Sequence, residues 1–263
     1  MEELSDPWTV EKALAAQSIV FPAVAAAGSS SSSRPATSTP IPFFHVLERL
    51  KTTKRQGWRR YGIEQGESIA DHMHRMAVMA LFAPAELRAG LDLAKCVCMA
   101  LLHDVAEAVV GDLTPADGVP KTEKARREAA TMDYFVAHSG DAATAVQMRA
   151  DWLEFEAGRT PESAFVQDLD KVELLLQMVE YETHHGVDLS EFTYVTTKIR
   201  LPAMQRWAAA ILDERPAAEN LASKAQVPAQ PGAAKATVPV PVTVPAPVAS
   251  SKAQLDEYYG GTE

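Results

Sequence analysis

The chain has 263 residues, of which 47% are hydrophobic and 23% are charged, a composition typical of a folded globular protein. Its formal net charge of −10 and the lack of a basic block make attraction to a phosphate backbone weak, so DNA and RNA polymers are not expected as partners. No run of about 18 apolar residues occurs, and no membrane association is predicted. The acidic N-terminus differs from a secretory or mitochondrial targeting segment, and we expect a cytoplasmic protein that also reaches the nucleus in some settings.

Composition divides the chain into three zones. Residues 1–42 are rich in Ala, Ser and Pro, and we expect a disordered tail there with a short helix near Trp8 to Ala16. Residues 216–263 combine Pro, Ala and Val; their alternating prolines disfavour both helices and central strands, so a second disordered tail is predicted. Residues 43–215 carry nearly all of the periodic hydrophobic pattern and are long enough to bury a core of their own.

The first half of the central zone predicts three helices. Apolar residues at helical spacing predict one over Phe43–Lys51. The segment Ser68–Asp71 has the pattern of a capping box and starts a second helix, which ends near Phe82. The strongly apolar stretch Leu91–Val110 predicts the third, which we expect to be the central and most buried helix.

The second half of the zone continues the helical pattern. Helices are predicted over Lys121–His138 and Ala142–Phe155. Thr160–Pro161 supplies an N-cap and a proline at the first helical position, which starts a long helix ending near His184. Glu191–Leu212 supplies one or two more. With no convincing strand and no internal repeat, the sequence predicts a single all-α domain.

Ionisable residues follow directly on the apolar part of the predicted central helix, where His103, Asp104 and Glu107 occur in turn. Burial of such groups costs several kcal/mol unless they are paired or bind a metal. At helical spacing Glu107 shares a face with the other two. An imidazole and carboxylates that converge on one point are typical ligands of a divalent metal ion.

Two other helices offer further ligands. His72 shares the apolar face of its helix and points into the predicted core, whereas His74 points elsewhere. Asp168 and Asp170 lie on the long late helix, and periodicity does not choose between them. A single core histidine more often makes a hydrogen bond than binds a metal, and His103 with Glu107 is compatible with a structural ion pair. The order His, His-Asp, Asp in apolar helices favours a metal site.

Four sequence blocks carry a resemblance to a known family. They are Glu67–Ala77 (ESIADHMHRMA), His103–Glu107 (HDVAE), Gly111–Pro115 (GDLTP) and Gln167–Lys171 (QDLDK). Across about residues 43–213 the chain resembles the HD superfamily of metal-dependent phosphohydrolases, and most nearly its small 5′-deoxynucleotidase branch. The resemblance implies one HD-domain helical bundle with a metal site in its core.

The resemblance also implies a ligand set and a reaction. By position, one divalent ion (manganese, cobalt, magnesium or iron) is held by His72, His103, Asp104 and Asp170. The implied substrate is a deoxyribonucleoside 5′-monophosphate, which is hydrolysed to a deoxynucleoside and phosphate, and the implied assembly is a homodimer.

Glu107 and Asp112 are assigned by the same resemblance to the catalytic step. Glu107 would hold or deprotonate the attacking water, and Asp112 would give a proton to the leaving oxygen, although these two roles can be exchanged. The expected phosphohydrolase therefore uses one metal ion and two further carboxylates.

Trp58 occupies the position of a tryptophan that packs on the substrate sugar in such enzymes. The family has a basic residue immediately before this tryptophan or an arginine shortly after it, whereas here Gly57 precedes it. The nearby candidates for phosphate binding are Arg55, Arg59 and Arg60, and the sequence leaves the choice among them open.

Other classes of HD protein fit this sequence less well. Two-iron HD-type oxygenases need additional histidines between Asp104 and Asp170, where only His138 occurs, so a single-metal site is favoured. The remaining alternatives are a hydrolase of another small phosphoester and a non-catalytic HD interaction module. The intact set of candidate ligands, with Glu107 and Asp112, argues against the second.

Overall fold

The computed structural model describes residues 7–17 and 39–217. Those parts of the two predicted tails that fall in 1–6, 18–38 and 218–263 lie outside the described residues. Within the described ranges no helix is both long and apolar enough to cross a bilayer.

Eleven α-helices form the described part of the chain, and the predicted all-α class is confirmed. They are α1 (Val10–Ala16), α2 (Ile41–Thr52), α3 (Gln56–Arg59), α4 (Ile69–Ala80), α5 (Ala85–Arg88), α6 (Leu93–Leu102), α7 (Glu107–Val110), α8 (Lys121–His138), α9 (Ala142–Ala157), α10 (Pro161–His185) and α11 (Pro202–Asp213). Short 3-10 segments cover Pro115–Asp117 and Ser190–Lys198. Among these residues the only β-pairing is an isolated bridge between Lys54 and Ser68.

Side-chain caps start the helices that carry the candidate site. Ser68 Oγ accepts a hydrogen bond from Asp71 N at 3.1 Å, and Asp71 Oδ2 accepts one from Ser68 N at 2.8 Å, which completes the predicted capping box of α4. Thr160 caps α10 in the same way. Such caps provide partners for backbone groups that the first helical turn leaves unsatisfied. They fix where α4 and α10 begin, and therefore the phase of the side chains that follow.

The predicted helix Leu91–Val110 is interrupted, so the prediction of a single continuous helix was wrong. α6 ends at Leu102, turns cover residues 103–106, and α7 begins at Glu107. Backbone N–H groups from Val105 to Val109 include several that bond to the carbonyl three residues earlier, which tightens the chain to a 3-10-like spacing. His103 Nδ1 also binds the Ala100 carbonyl of its own helix at 3.0 Å, a local contact that competes with regular helical bonding.

α10 carries more buried residues than the predicted Leu91–Val110 segment, twelve against nine. Six of those nine follow α6, which itself has three and whose Leu101 is 45% exposed. α10 packs against α4, α6, α9 and α11. Apolar content therefore overestimated the burial of α6, because burial depends on how many neighbours surround a helix.

Two hydrophobic clusters meet along α4. Met76 and Ala80 pack in the cluster built around α10 and α11. Ile69 and Met73 pack in the second cluster, which α2, α8 and the turn after α6 complete. His72 lies on the same helix with its side chain fully buried. The candidate site thus starts from a position that packing on both sides holds rigid.

Part of the predicted N-terminal tail belongs to the folded body. Within the range 1–42, α1 forms close to the short helix predicted near Trp8 to Ala16, and its Val10 and Leu14 are buried in the second cluster. Gln17 Nε2 donates to the Val109 carbonyl at 3.0 Å. The prediction of a disordered tail is therefore wrong for residues 7–17. Two apolar side chains one turn apart on α1 pack against other helices and hold the segment in place.

Asp168 ties α10 to α11 and provides a test of this packing. Its buried Oδ2 accepts hydrogen bonds from the backbone N–H groups of Arg200 at 2.9 Å and Leu201 at 2.7 Å. We expect Asp168→Ala to lower the free energy of unfolding by about 2–4 kcal/mol, because two backbone donors lose a charged acceptor. Denaturant unfolding measures this loss. The matched variant Asp170→Ala, on the same helix, should lower the free energy of unfolding of metal-free protein by less. Equal losses in the two variants would contradict the structural role of Asp168.

Candidate metal centre

Three elements bring the predicted ligands together. His72 comes from α4, His103 and Asp104 from the turn after α6, and Asp170 from α10. His72 Nε2 lies 3.2 Å from Asp170 Oδ1 and 3.9 Å from Asp104 Oδ2. His103 Nε2 lies 3.2 Å from Asp104 Oδ2. Two imidazoles and two carboxylates thus converge on one point.

The two imidazoles are oriented as metal ligands would be. The Nδ1 atom of His72 lies 2.5 Å from Glu173 Oε2, and that of His103 lies 3.0 Å from the Ala100 carbonyl. Because both partners are acceptors, each Nδ1 carries the hydrogen. The two Nε2 atoms are buried and have no hydrogen-bond partner, although carboxylate oxygens lie nearby. Such orphaned buried atoms are rare, and a cation between them would satisfy both.

The charges at this point also favour a bound cation. Burial alone would raise the pKa values of Asp104 and Asp170, but the neighbouring imidazoles hold both well below their usual range. Burial and Arg55 lower the pKa of His72, but Glu173 and Asp170 outweigh them and raise it to about 10. Carboxylates that attract a proton this strongly attract a metal cation for the same reason. The residues present therefore fit a divalent ion with mixed nitrogen and oxygen ligands.

The structure distinguishes the two aspartates that periodicity left open. Residues two apart on a helix point about 200° away from each other. Asp170 therefore faces His72, whereas Asp168 faces the start of α11 and is fully buried there. Only Asp170 lies beside the histidines.

Glu173 is a member of the site that the sequence analysis missed. It is fully buried; Oε2 contacts His72 Nδ1, and Oε1 accepts from Arg75 Nε at 2.7 Å. Burial opposes ionisation, but His72 and Arg75 hold the pKa of Glu173 below its usual value. A carboxylate behind a histidine ligand fixes the ring and its tautomer. The available signal was the three-residue spacing from Asp170, which places both side chains on one side of α10.

A cavity of about 170 Å³, open to solvent, adjoins the cluster. Both acidic and basic side chains line it, together with aromatic and aliphatic ones. The lining residues that the sequence had singled out are Arg55, Trp58, Arg60, Asp104, Glu107, Asp112 and Asp170.

Glu107 and Asp112 are held differently within this cavity. Glu107 is 2% exposed; Lys124 Nζ donates to its Oε1 at 3.1 Å, and its buried Oε2 has no partner. Burial raises the pKa of Glu107 well above its usual value, and Lys124 opposes this shift. Asp112 Oδ2 accepts from Gln56 N at 2.6 Å, at the start of α3. Lys124 was not identified from the sequence, because α8 is rich in charged residues and nothing in its pattern separates this lysine from its neighbours.

The structure narrows the three candidate arginines to two. Arg55 Nη1 lies 3.1 Å from Asp104 Oδ2, and Arg60 lines the cavity. Arg59 does not line the cavity; its side chain is 44% exposed and pairs with Glu64 at 3.2 Å. Because α3 is a single turn, adjacent arginines point to different sides of it. The structure therefore offers Arg55 and Arg60 to a ligand, and Arg59 is corrected to a surface residue.

Trp58 lines the cavity and is almost fully enclosed, with 2% of its surface exposed. Its indole Nε1 donates to Glu67 Oε1 at 2.8 Å. The ring lies against Phe192, with centroids 4.6 Å apart, and edge-on to Tyr181 at 5.3 Å. These contacts fix the orientation of the indole relative to the cavity.

Glu173→Gln tests the support of His72. We expect the affinity for Mn²⁺ or Co²⁺ to fall about 10–100-fold, because an amide is a weaker acceptor for the Nδ1 hydrogen. Calorimetric titration of metal-stripped protein measures the change. Glu180→Gln is the matched control, since Glu180 also pairs with Arg75, at 2.8 Å, but does not contact His72. An unchanged affinity in Glu173→Gln would show that this carboxylate does not support a ligand.

Glu128 makes stability depend on pH. It lies 3.5 Å from Lys124 on α8, and burial, reinforced by Glu156, raises its pKa to about 7. Since the pKa in the folded state exceeds that of the unfolded chain, stability is greatest below the unfolded value and falls as pH rises through about 4.5 to 7. In metal-free protein, Glu128→Gln should remove this fall. The free energy of unfolding of the variant should therefore exceed that of the parent by an amount that grows with pH, to at most about 3 kcal/mol at pH 8. A difference in free energy of unfolding between variant and parent that stays constant from pH 5 to pH 8 would contradict this prediction.

Comparisons with known proteins agree with the geometry. A family model described as HD domain matches residues 47–207. The 5′-deoxynucleotidase hdd1 of Schizosaccharomyces pombe is 39% identical over 180 residues, which cover 66% of this chain and 89% of the relative. The 5′-deoxynucleotidase HDDC2 of Xenopus laevis is 37% identical over 195 residues, which cover 73% of this chain and 94% of the relative.

A solved structure shows the same fold. The HD domain-containing protein YGK1, of Saccharomyces cerevisiae, aligns with a TM-score of 0.54 and 24% identity, over 79% of this chain and 97% of that one. The likeness concerns the fold, and the sequence matches supply the family. From the family model and these relatives together, we conclude that the chain belongs to the HD phosphohydrolase superfamily, in its 5′-deoxynucleotidase branch.

Proposed function

We propose that this protein is a divalent-metal-dependent 5′-deoxynucleotidase, which hydrolyses deoxyribonucleoside 5′-monophosphates to deoxynucleosides and phosphate. The observation that carries the proposal is the pair of buried, partnerless Nε2 atoms of His72 and His103, which face two carboxylates beside the cavity. The substrate class is supported by the relatives, which are named 5′-deoxynucleotidases.

In this proposal His72, His103, Asp104 and Asp170 hold one divalent ion, with Mn²⁺, Co²⁺, Mg²⁺ and Fe²⁺ as the candidates. A bound divalent ion supplies Lewis-acid polarisation of the phosphoryl group and lowers the pKa of water at the site. The protein supplies the rest: orientation of the phosphate and sugar, and places for the protons.

Glu107 is proposed to orient the attacking water and accept its proton. One of its oxygens is held by Lys124, while the buried Oε2 remains available. A pKa raised by burial makes the carboxylate a stronger base, which suits proton abstraction near neutral pH. Asp112 lines the same cavity and is proposed to protonate the leaving 5′-oxygen as the bond from phosphorus to that oxygen breaks.

Arg55 and Arg60 are proposed to neutralise the charge of the phosphate. Guanidinium groups form paired hydrogen bonds with phosphate oxygens. Arg55 is partly buried, with 14% of its side chain exposed, and its contact with Asp104 holds it close to the proposed ligands. Both arginines line the cavity through which a phosphate would approach the metal site.

Trp58 is proposed to lie against the substrate sugar. Because Glu67, Phe192 and Tyr181 enclose the indole, it cannot move away from an added 2′-hydroxyl. A preference for deoxyribose over ribose would follow from this steric limit. Assembly into a homodimer stays a prediction that rests on the family resemblance.

Phosphate release from metal-stripped protein tests the proposal. Deoxynucleoside and ribonucleoside 5′-monophosphates would be compared with added Mn²⁺, Co²⁺ or Mg²⁺, beside the variant Glu107→Gln. We expect metal-dependent release that favours deoxynucleotides, and a loss of about 10²–10⁴-fold in kcat in the variant with metal affinity retained.

The other outcomes separate the alternatives. Metal binding without release from any nucleoside monophosphate would favour another small phosphoester or a non-catalytic role. Absence of metal binding would refute the metal site itself. Equal rates with ribose and deoxyribose would contradict the role of Trp58 while leaving the hydrolase in place.

A further inference from the structure

Lys124 lies in the cavity beside Glu107 and has no step of its own in the proposed reaction. Its side chain is 16% exposed and lines the cavity from α8. Its ammonium donates to Glu107 Oε1 at 3.1 Å and to the Leu113 carbonyl at 3.3 Å. One side chain therefore joins α7 to the loop that follows Gly111.

The contact with Glu107 limits how its carboxylate can turn. The terminal torsion of a glutamate side chain is broad and close to two-fold, so a carboxylate without a partner samples many orientations. With Oε1 held by the ammonium of Lys124, the plane of the group is set and Oε2 remains without a partner. Orientation of a base toward its proton is a large part of its catalytic effect.

The contact with Leu113 limits the loop that carries Asp112. Gly111 has φ +83°, in the left-handed region that glycine adopts readily, so this hinge does not itself hold the loop in place. Lys124 anchors the loop backbone at Leu113, while Gln56 N anchors the side chain of Asp112 at 2.6 Å. Both proposed catalytic carboxylates are thus held in place by groups from other elements of the fold.

Two other cations of the cavity, Arg55 and Lys171, have different partners. Arg55 pairs with Asp104 at 3.1 Å, and Lys171 Nζ donates to the Gln167 carbonyl at 2.6 Å. From these contacts we infer that Lys124 is a positioning residue, which fixes the Glu107 carboxylate and the Asp112 loop for attack of water on the substrate. The inference rests on the proposed hydrolase function.

Kinetics of Lys124→Met test the inference, because methionine keeps the length of the side chain and removes the ammonium. We expect kcat to fall by about 30-fold or more. KM and metal affinity should stay within about threefold of the parent, since in this inference Lys124 contacts neither the substrate nor the metal ion. Lys124→Arg should recover part of kcat. Lys121→Met, one turn earlier on α8 and outside the cavity, is the matched control and should behave as the parent does.

A double-mutant cycle separates positioning from direct phosphate binding. When Glu107 is already replaced by Gln, Lys124→Met should lower kcat clearly less than the roughly 30-fold expected in the parent, because only its effect through the Asp112 loop remains. A full additional loss, or a tenfold rise in KM with kcat retained, would overturn the inference in favour of phosphate binding. Parent-like kinetics in Lys124→Met would overturn it as well.

The four proteins of this cycle are the parent, Lys124→Met, Glu107→Gln and the double variant. Together they distinguish failure of the positioning inference from failure of the proposed function. A parent enzyme that releases no phosphate would refute the function. The free energies of unfolding of the four proteins would still report whether Lys124 and Glu107 are coupled. Additive effects on unfolding would show that the pair does not form and would overturn the inference independently of any substrate.

Discussion

The hydrogen bond between the buried imidazole of His72 and Glu173 is the interaction on which the rest of the site depends. The Nδ1 atom of His72 lies 2.5 Å from Glu173, which fixes the ring, and the Nε2 atom faces Asp170 at 3.2 Å. A fully buried imidazole with one unsatisfied nitrogen is costly without a cation to meet it. The packing of α4 into two clusters and the central position of α10 hold both carboxylates at these distances.

Paired charges make this concentration of buried ionisable groups tolerable. Arg55 neutralises Asp104, Arg75 neutralises Glu173, and Lys124 neutralises Glu107. Each pair involves different elements, so the electrostatic contacts also hold the α3 region, α4, α7, α8 and α10 in position. Removing one partner from such a pair leaves an uncompensated buried charge, which is why these side chains link stability to activity.

Most helix limits were predictable because they depend on local chemistry, whereas the family resemblance supplied the identity of most site residues. The capping patterns at Ser68 and Thr160 placed the starts of α4 and α10 correctly, and three blocks of polar residues in apolar segments indicated the metal centre. The break at residues 103–106 was not predictable from periodicity. A 3-10-like turn keeps residues three apart on one side, so Asp104 and Glu107 still reach the same cavity.

By itself the sequence determined the helical class, the ligand types and a family resemblance, since spacing and capping act within a few residues. Periodicity left Asp168 and Asp170 open, and only the family resemblance named Asp170. The tertiary structure alone moved Arg59 to the surface, placed α1 on the folded body and revealed Glu173 and Lys124. Each of these depends on which side chain of another helix lies opposite, and His72 and Glu173 are 101 positions apart in the chain. Contacts across such separations are set by the packing of helices, which no local pattern specifies.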